Sequence, residues 1–142
     1  MGKSAVYIGH RECHFFPAEK VAAQIKLLID DEYETFYCGC MGAFDLGCAR
    51  TLFSLKTTYP HIQSLLVIPY LSFKLPSKEL YDDIIFPEVC SNLSPRFAIP
   101  RRNQWMVDRS QAAISYVLYS WGGAATTLRY AQKRGLDIHS VT

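Results

Sequence analysis

A chain of 142 residues is one domain by length, long enough to bury roughly two-thirds of its unfolded surface without a disulfide or metal staple. Its 49% hydrophobic and 20% charged residues exclude a disordered or fibrous chain, and a formal charge of +2 argues against nucleic acid as a partner, which calls for a basic surface. The apolar run Ala5-Val6-Tyr7-Ile8 is too short for a signal peptide or a membrane span, so a cytoplasmic protein with no membrane association is expected.

That run reads as a first strand ended by Gly9, and beyond Pro17 the residues Val21, Ile25, Leu28 and Ile29 recur on one helical face. Thr35-Phe36-Tyr37-Cys38 is a second strand; a glycine turn follows, then Phe44, Cys48, Leu52 and Leu55 at helical spacing up to Pro60. Leu65-Leu66-Val67-Ile68, a continuous apolar run closed by Pro69, suits a strand covered on both faces and is placed at the sheet centre. Between Tyr70 and Pro100 the prolines at 76, 87, 95 and 100 break any long element, leaving Ile84-Ile85-Phe86 and Val89-Cys90 as strand candidates. Asn103 to Ser110 reads as a short helix and Ala113 to Tyr119 as a strand. Ala124 to Arg134 is a helix capped by Gly135, with Lys133 and Arg134 at its negative end, and Ile138 to Val141 is the last strand.

Strands alternating with helices imply a three-layer α/β sandwich, a mostly parallel sheet with helices on both faces, over a single domain spanning 1–142. In such sheets ligands bind beyond the carboxyl ends of the strands, where the strand order reverses. Three loops fall there. Gly9-His10-Arg11 follows the first strand: Arg11 is suited to a bidentate phosphate clamp or to a solvated surface ion pair, and His10 to ligand contact or to a packed hydrogen bond. Gly39-Cys40-Met41-Gly42-Ala43-Phe44-Asp45 follows the second, with Asp45 placed to cap the next helix or to accept from ribose hydroxyls. Trp121-Gly122-Gly123-Ala124-Ala125-Thr126-Thr127 opens the last helix. Both glycine turns present unpaired helix N–H groups, and the second adds hydroxyls, so each reads as an anion socket; Gly47, inside the second helix, reads as close packing against a neighbour.

Arg101-Arg102-Asn103-Gln104-Trp105-Met106-Val107-Asp108-Arg109-Ser110 is the densest polar segment. Trp105 and Met106 in its middle point to one buried face, which aims Asn103 and Arg109 at adenine, phosphate or a partner subunit. Five cysteines, Cys13, Cys38, Cys40, Cys48 and Cys90, include no C-x-x-C pair, so they read as packed thiols rather than a disulfide framework or metal site.

In this order Gly9-His10-Arg11, Gly39 through Asp45, Arg102-Asn103 with Met106-Val107-Asp108, and Gly122-Gly123-Ala124 followed by Tyr130-Ala131 resemble the SLOG superfamily, and within it the small YpsA-like proteins. The resemblance implies a Rossmann-like fold and a pocket for nucleotides or nucleotide-derived molecules such as ADP-ribose, NAD or AMP, used by relatives as sensors, enzymes or DNA-handling domains. The similar Lonely Guy branch cleaves a nucleotide's N-glycosidic bond and carries the motif P-G-G-x-G-T-x-x-E. Here Trp121 stands for its proline, Ala125 for its third glycine and Arg129 for its catalytic glutamate, so the acid is missing.

The leading expectation is therefore a nucleotide-binding sensor or regulatory domain, not an enzyme, which needs no cofactor. Gly39, Cys40, Met41, Gly42, Gly122, Gly123, Ala124 and Thr126 would surround phosphates, Arg11 and Arg109 supply charge, and Asp45 or Asn103 hold ribose or base. A nucleotide N-glycosidase using Asp45 or Asp108 is the first alternative. A single-stranded DNA or protein interaction module, built on Arg101, Arg102, Arg109 and Trp105, is the second. Exposed apolar helices on a doubly wound sheet favour a homo-oligomer.

Overall fold

Six strands and four α-helices alternate along the described part of the chain, residues 2–75 and 77–142 of a computed structural model. They are β1 (Lys3–Gly9), α1 (Ala18–Asp30), β2 (Tyr33–Cys38), α2 (Ala43–Leu55), β3 (Gln63–Val67), β4 (Asp83–Ile85), α3 (Pro95–Asp108), β5 (Ala112–Tyr116), α4 (Gly123–Lys133) and β6 (Asp137–Ser140). Every pairing is parallel, in the order β4-β3-β2-β1-β5-β6. The fold is a Rossmann-like three-layer α/β sandwich whose strand order reverses between β1 and β5.

The four apolar residues of β1 explain its place. Ala5 pairs with Phe36 on one side and Ala112 on the other, and Ala5, Val6, Tyr7 and Ile8 are all buried, as a strand covered by neighbours and by helices on both faces must be. Tyr7 and Ala5 meet α1 and α2 through Val21, Ile25, Leu28, Phe44, Cys48 and Leu52. Val6 and Ile8 meet α3 and α4 through Met106, Val107 and Ala131. The helical faces expected for α1 and α2 are the buried ones, and a Cβ on Gly47 would sit 2.5 Å from the Phe16 ring, so that glycine does permit close packing.

Four expectations need correction. β3 is not central: β1 and β2 are, and β3 lies next to the edge strand β4. Its unbroken apolar run reports cover on two faces, which any strand with a paired neighbour and helices above and below acquires. Val89 and Cys90 belong to a single 3₁₀ turn, Glu88–Cys90, not to a strand. α3 starts eight residues before Asn103 and passes through Pro100. Pro95 occupies the first turn, where the absent N–H has no partner to lose, and Pro100 is exposed, so water reaches the carbonyl it leaves unpaired. β5 stops at Tyr116, which pairs with Gly9 at the end of β1; residues 117–121 have no strand left to follow. Pro76, expected as a breaker, lies outside the described residues. No described helix is long and apolar enough to cross a membrane.

Candidate functional site

The loops after β1, β2 and β5 converge where β1 and β5 part, around a cavity of about 390 Å³ closed on its fourth side by α3. Ala98, Arg102 and Met106 recur at every fourth residue of α3 and are buried together, which puts a guanidinium on the apolar face of the helix. Arg102 is fully buried. Its Nη1 donates to the carbonyls of Val67 at 2.6 Å and Gly39 at 3.1 Å, and its Nε donates to Asn103 Oδ1 at 2.9 Å. One side chain thus ties the ends of β2 and β3 to α3. Burial pulls its pKa below the usual guanidinium value, opposed chiefly by the nearby Asp45 carboxyl.

Asp45, in the first turn of α2, accepts a long bond from the Met41 N–H at 3.5 Å through Oδ2. Its other oxygen has no partner. Burial raises the carboxyl from 3.8 to about 7, although Arg102 and the Met41 N–H pull the other way. Among the described residues Asp45 is the only carboxylate on the cavity wall. Tyr7, whose hydroxyl is likewise buried and unpartnered, and the free Nη2 of Arg102 complete a set of three orphaned polar atoms on residues lining the same cavity. Buried polar groups without partners cost about 1–3 kcal/mol each, so the wall of this cavity is held at a cost to stability.

The two glycine turns differ. A Cβ on Gly9 would lie 2.1 Å from the Phe44 ring, one on Gly39 would lie 2.9 Å from the Arg102 guanidinium carbon, and one on Gly42 would lie 2.3 Å from the Arg11 Cα. The Ala43 N–H at the start of α2 is already taken by the Arg11 carbonyl at 2.8 Å. The first turn is therefore filled by its own chain, and buried Cys40, in the left-handed region at φ 50°, lies in it. At the second turn a Cβ on Gly122 or Gly123 would meet nothing within 4 Å. Gly122 has φ +92°, and no side chain caps α4. The first helical bond runs from the Thr126 N–H to the Gly122 carbonyl at 3.0 Å, so the preceding N–H groups have no acceptor within the helix. Of the two turns, only this N-terminus, with Gly123 and Ala124 on the cavity wall, leaves open space beside unpaired helix N–H groups.

Of the residues singled out in the sequence, Gly9, His10, Arg11, Met41, Asp45, Asn103, Gly123 and Ala124 meet around this space. Gly39, Cys40, Gly42 and Gly122 belong to its supporting turns. Thr126 borders a smaller cavity of about 180 Å³ between α3 and α4, set apart by the bond from Asn103 Nδ2 to Thr127 Oγ1 at 3.2 Å. Asp108 and Arg109 lie away from the cavity, at the opposite end of α3. Asp108 accepts from the Tyr130 hydroxyl at 2.7 Å and pairs with Arg134 at 3.3 Å, while Arg109 lies 3.9 Å over the Trp105 ring. Trp105 also packs edge-on against Tyr37 at 5.7 Å, so it offers no free stacking surface. Arg129 donates to the Ser120 carbonyl at 2.9 Å and is absent from the cavity wall. Tyr7, Ile8 and Ile99 line the space without having been named for it, and Arg102, Met106 and Thr127, named as members of their motifs, line it too; the position of Arg102 one turn from Ala98 and Met106 is the signal that marks it.

No protein-family model and no curated protein matches the chain. Solved structures that share its fold include two DNA processing proteins. DNA processing protein A from Streptococcus pneumoniae superposes with a TM-score of 0.71 at 18% identity, over 98% of this chain and 50% of that protein. DNA processing protein A from Helicobacter pylori, described by its single-stranded DNA binding mode, gives 0.68 at 13% identity, over 97% of this chain and 64% of that one. The chain thus spans between half and two-thirds of the length of the structures it matches. The second neighbour overturns the argument from net charge against nucleic acid: a total of +2 averages over the whole surface, whereas a strand meets only the charge beside its groove. The chain has the Rossmann-like fold of these DNA processing proteins.

Proposed function

We propose that this chain binds single-stranded DNA and seats one nucleotide of the strand, phosphate first, in the cavity between β1 and β5. The observation that carries the reading is the uncapped N-terminus of α4 opening on a cavity that exposed Arg11 and buried Arg102 also line. The phosphate takes the open N-terminus of α4, and the buried Arg102 guanidinium adds its positive charge behind the cavity wall. Asp45 and Tyr7 serve the sugar and base side of that nucleotide. Arg11, exposed at the mouth and without a carboxylate partner among the described residues, meets the next phosphate. The DNA-binding title of the Helicobacter pylori neighbour supports a strand as the source of that nucleotide.

A free nucleotide or derivative, such as AMP, ADP-ribose or NAD, is the second reading, favoured by a cavity large enough for only about one nucleotide. Titration calorimetry with an oligothymidine, AMP, ADP-ribose and NAD separates the two. The DNA reading expects the oligomer to bind at least about tenfold more tightly than any free nucleotide, with affinity that falls as salt rises. Tighter binding of a free nucleotide selects the second reading, and no binding of any at millimolar concentration overturns both.

A further inference from the structure

The loop after β5 carries a row of aromatic rings from the cavity out to solvent. His10, on the cavity wall, lies 4.9 Å from Tyr119, and Tyr119 stacks on Trp121 at 4.8 Å with an interplanar angle of 22°. The ends of the row are therefore less than 10 Å apart. Inward it is anchored: His10 meets Tyr116 edge-on at 6.3 Å, and Tyr116 stacks on buried Phe44 at 5.5 Å. The backbone is pinned too, by the Leu118 N–H donating to His10 Nε2 at 2.8 Å and by Arg129 donating to the Ser120 carbonyl at 2.9 Å. Yet Trp121 is 68% exposed. A pinned loop that holds an indole in water, with one face on Tyr119, exposes apolar area that folding alone does not reward.

We propose that Trp121, at the outer end of this row, is a stacking platform for an unpaired nucleobase next to the nucleotide held in the cavity. The inference rests on the strand-binding reading above. What favours a base over an apolar side chain is continuity with the cavity through His10 and the cations beside the row. Arg129 pins the Trp121 loop and Arg11 follows His10, and neither pairs with a carboxylate among the described residues. A flat π-face flanked by cations suits a base carried on a phosphate backbone, without regard to its identity. Trp121 would thus make the site prefer a strand over a single nucleotide.

The test uses the full chain, with a ten-residue oligothymidine and thymidine monophosphate as probes. In a Trp105→Phe variant, where Trp121 is the one remaining tryptophan, the oligomer is expected to quench tryptophan emission and the mononucleotide to leave it nearly unchanged. Trp121→Ala is expected to weaken the oligomer about tenfold while leaving the mononucleotide's affinity as it was, and Trp121→Phe to recover most of the loss. Oligomer affinity unchanged in Trp121→Ala overturns the platform and leaves the cavity reading standing. Equal loss for both probes also overturns it, because Trp121 would then act by shaping the cavity. Failure of the unsubstituted chain to bind either probe overturns both readings together.

Discussion

Asp45→Asn isolates the cost of a carboxyl buried beside the cavity. The carboxyl titrates near 3.8 when solvated and at about 7 in the fold. Between those values the native state holds a proton that the unfolded chain has released, so stability falls as pH rises through this range and levels off above about pH 7. At about 1.4 kcal/mol for each pH unit of difference, the native state loses about 4 kcal/mol between pH 4 and pH 8 from this group alone. Asparagine keeps the shape and the oxygen that accepts from the Met41 N–H, but cannot ionise. Urea unfolding of both proteins at pH 5 and pH 8 reads the effect as a double difference, which cancels the histidines and surface acids common to both. The variant should gain about 2–3 kcal/mol on the original chain between those two pH values. A difference between the proteins that stays constant across the range would show that Asp45 is ionised throughout, and would remove it as a neutral group in the cavity wall.

Arg102→Met removes two charge-assisted bonds to carbonyls and should destabilise the chain by about 3 kcal/mol, lowering the melting temperature by about 10 °C; a shift below about 2 °C in calorimetry would mean the carbonyls find other partners. Gly42→Ala should destabilise by at least about 1–3 kcal/mol because its Cβ meets the Arg11 backbone. Gly123→Ala should leave stability unchanged or slightly raised yet weaken oligonucleotide binding, since its methyl enters open space at the cavity; denaturant curves and binding isotherms on the same pair check both. Arg11→Ala should reduce the slope of log affinity against log salt by about one, whereas Arg109→Ala should leave that slope alone and cost only about 0.5–1 kcal/mol of stability through its contact with Trp105.

The helices on the β1 to β3 half were legible because their apolar residues face one way: Val21, Ile25, Leu28 and Ile29 are the buried residues of α1. Which strand is central was not, since an unbroken apolar run records cover on two faces and not the number of strands beyond. The start of α3 is hidden in the sequence because a proline ordinarily breaks a helix, and Pro100 on the solvent side does not. At the site the glycines stood out by identity, but only the fold distinguishes Gly42, pressed against the Arg11 backbone, from Gly123, facing empty space. Arg102 was hidden in a run of three arginines that the helix divides between a buried strut, an exposed chain hydrogen-bonded to Gln104 and a cover for Trp105. Sequence neighbours in a helix share no direction, so the composition of the segment could not say which arginine served the cavity.

The pairing of β1 with β5 has a consequence for how the molecule is assembled. His10 and Leu118, which meet at the cavity mouth, are 108 positions apart in the chain, and closing so long a loop is entropically costly before its contacts repay it. Until β5 docks, β1 is an edge strand of four apolar residues, a template for pairing with other chains. The cavity and the seam between the two halves of the sheet therefore close in the same step, when β5 docks. A ligand that bridges the loops after β1 and β5 would hold that seam shut, so its presence should slow unfolding more than it speeds folding.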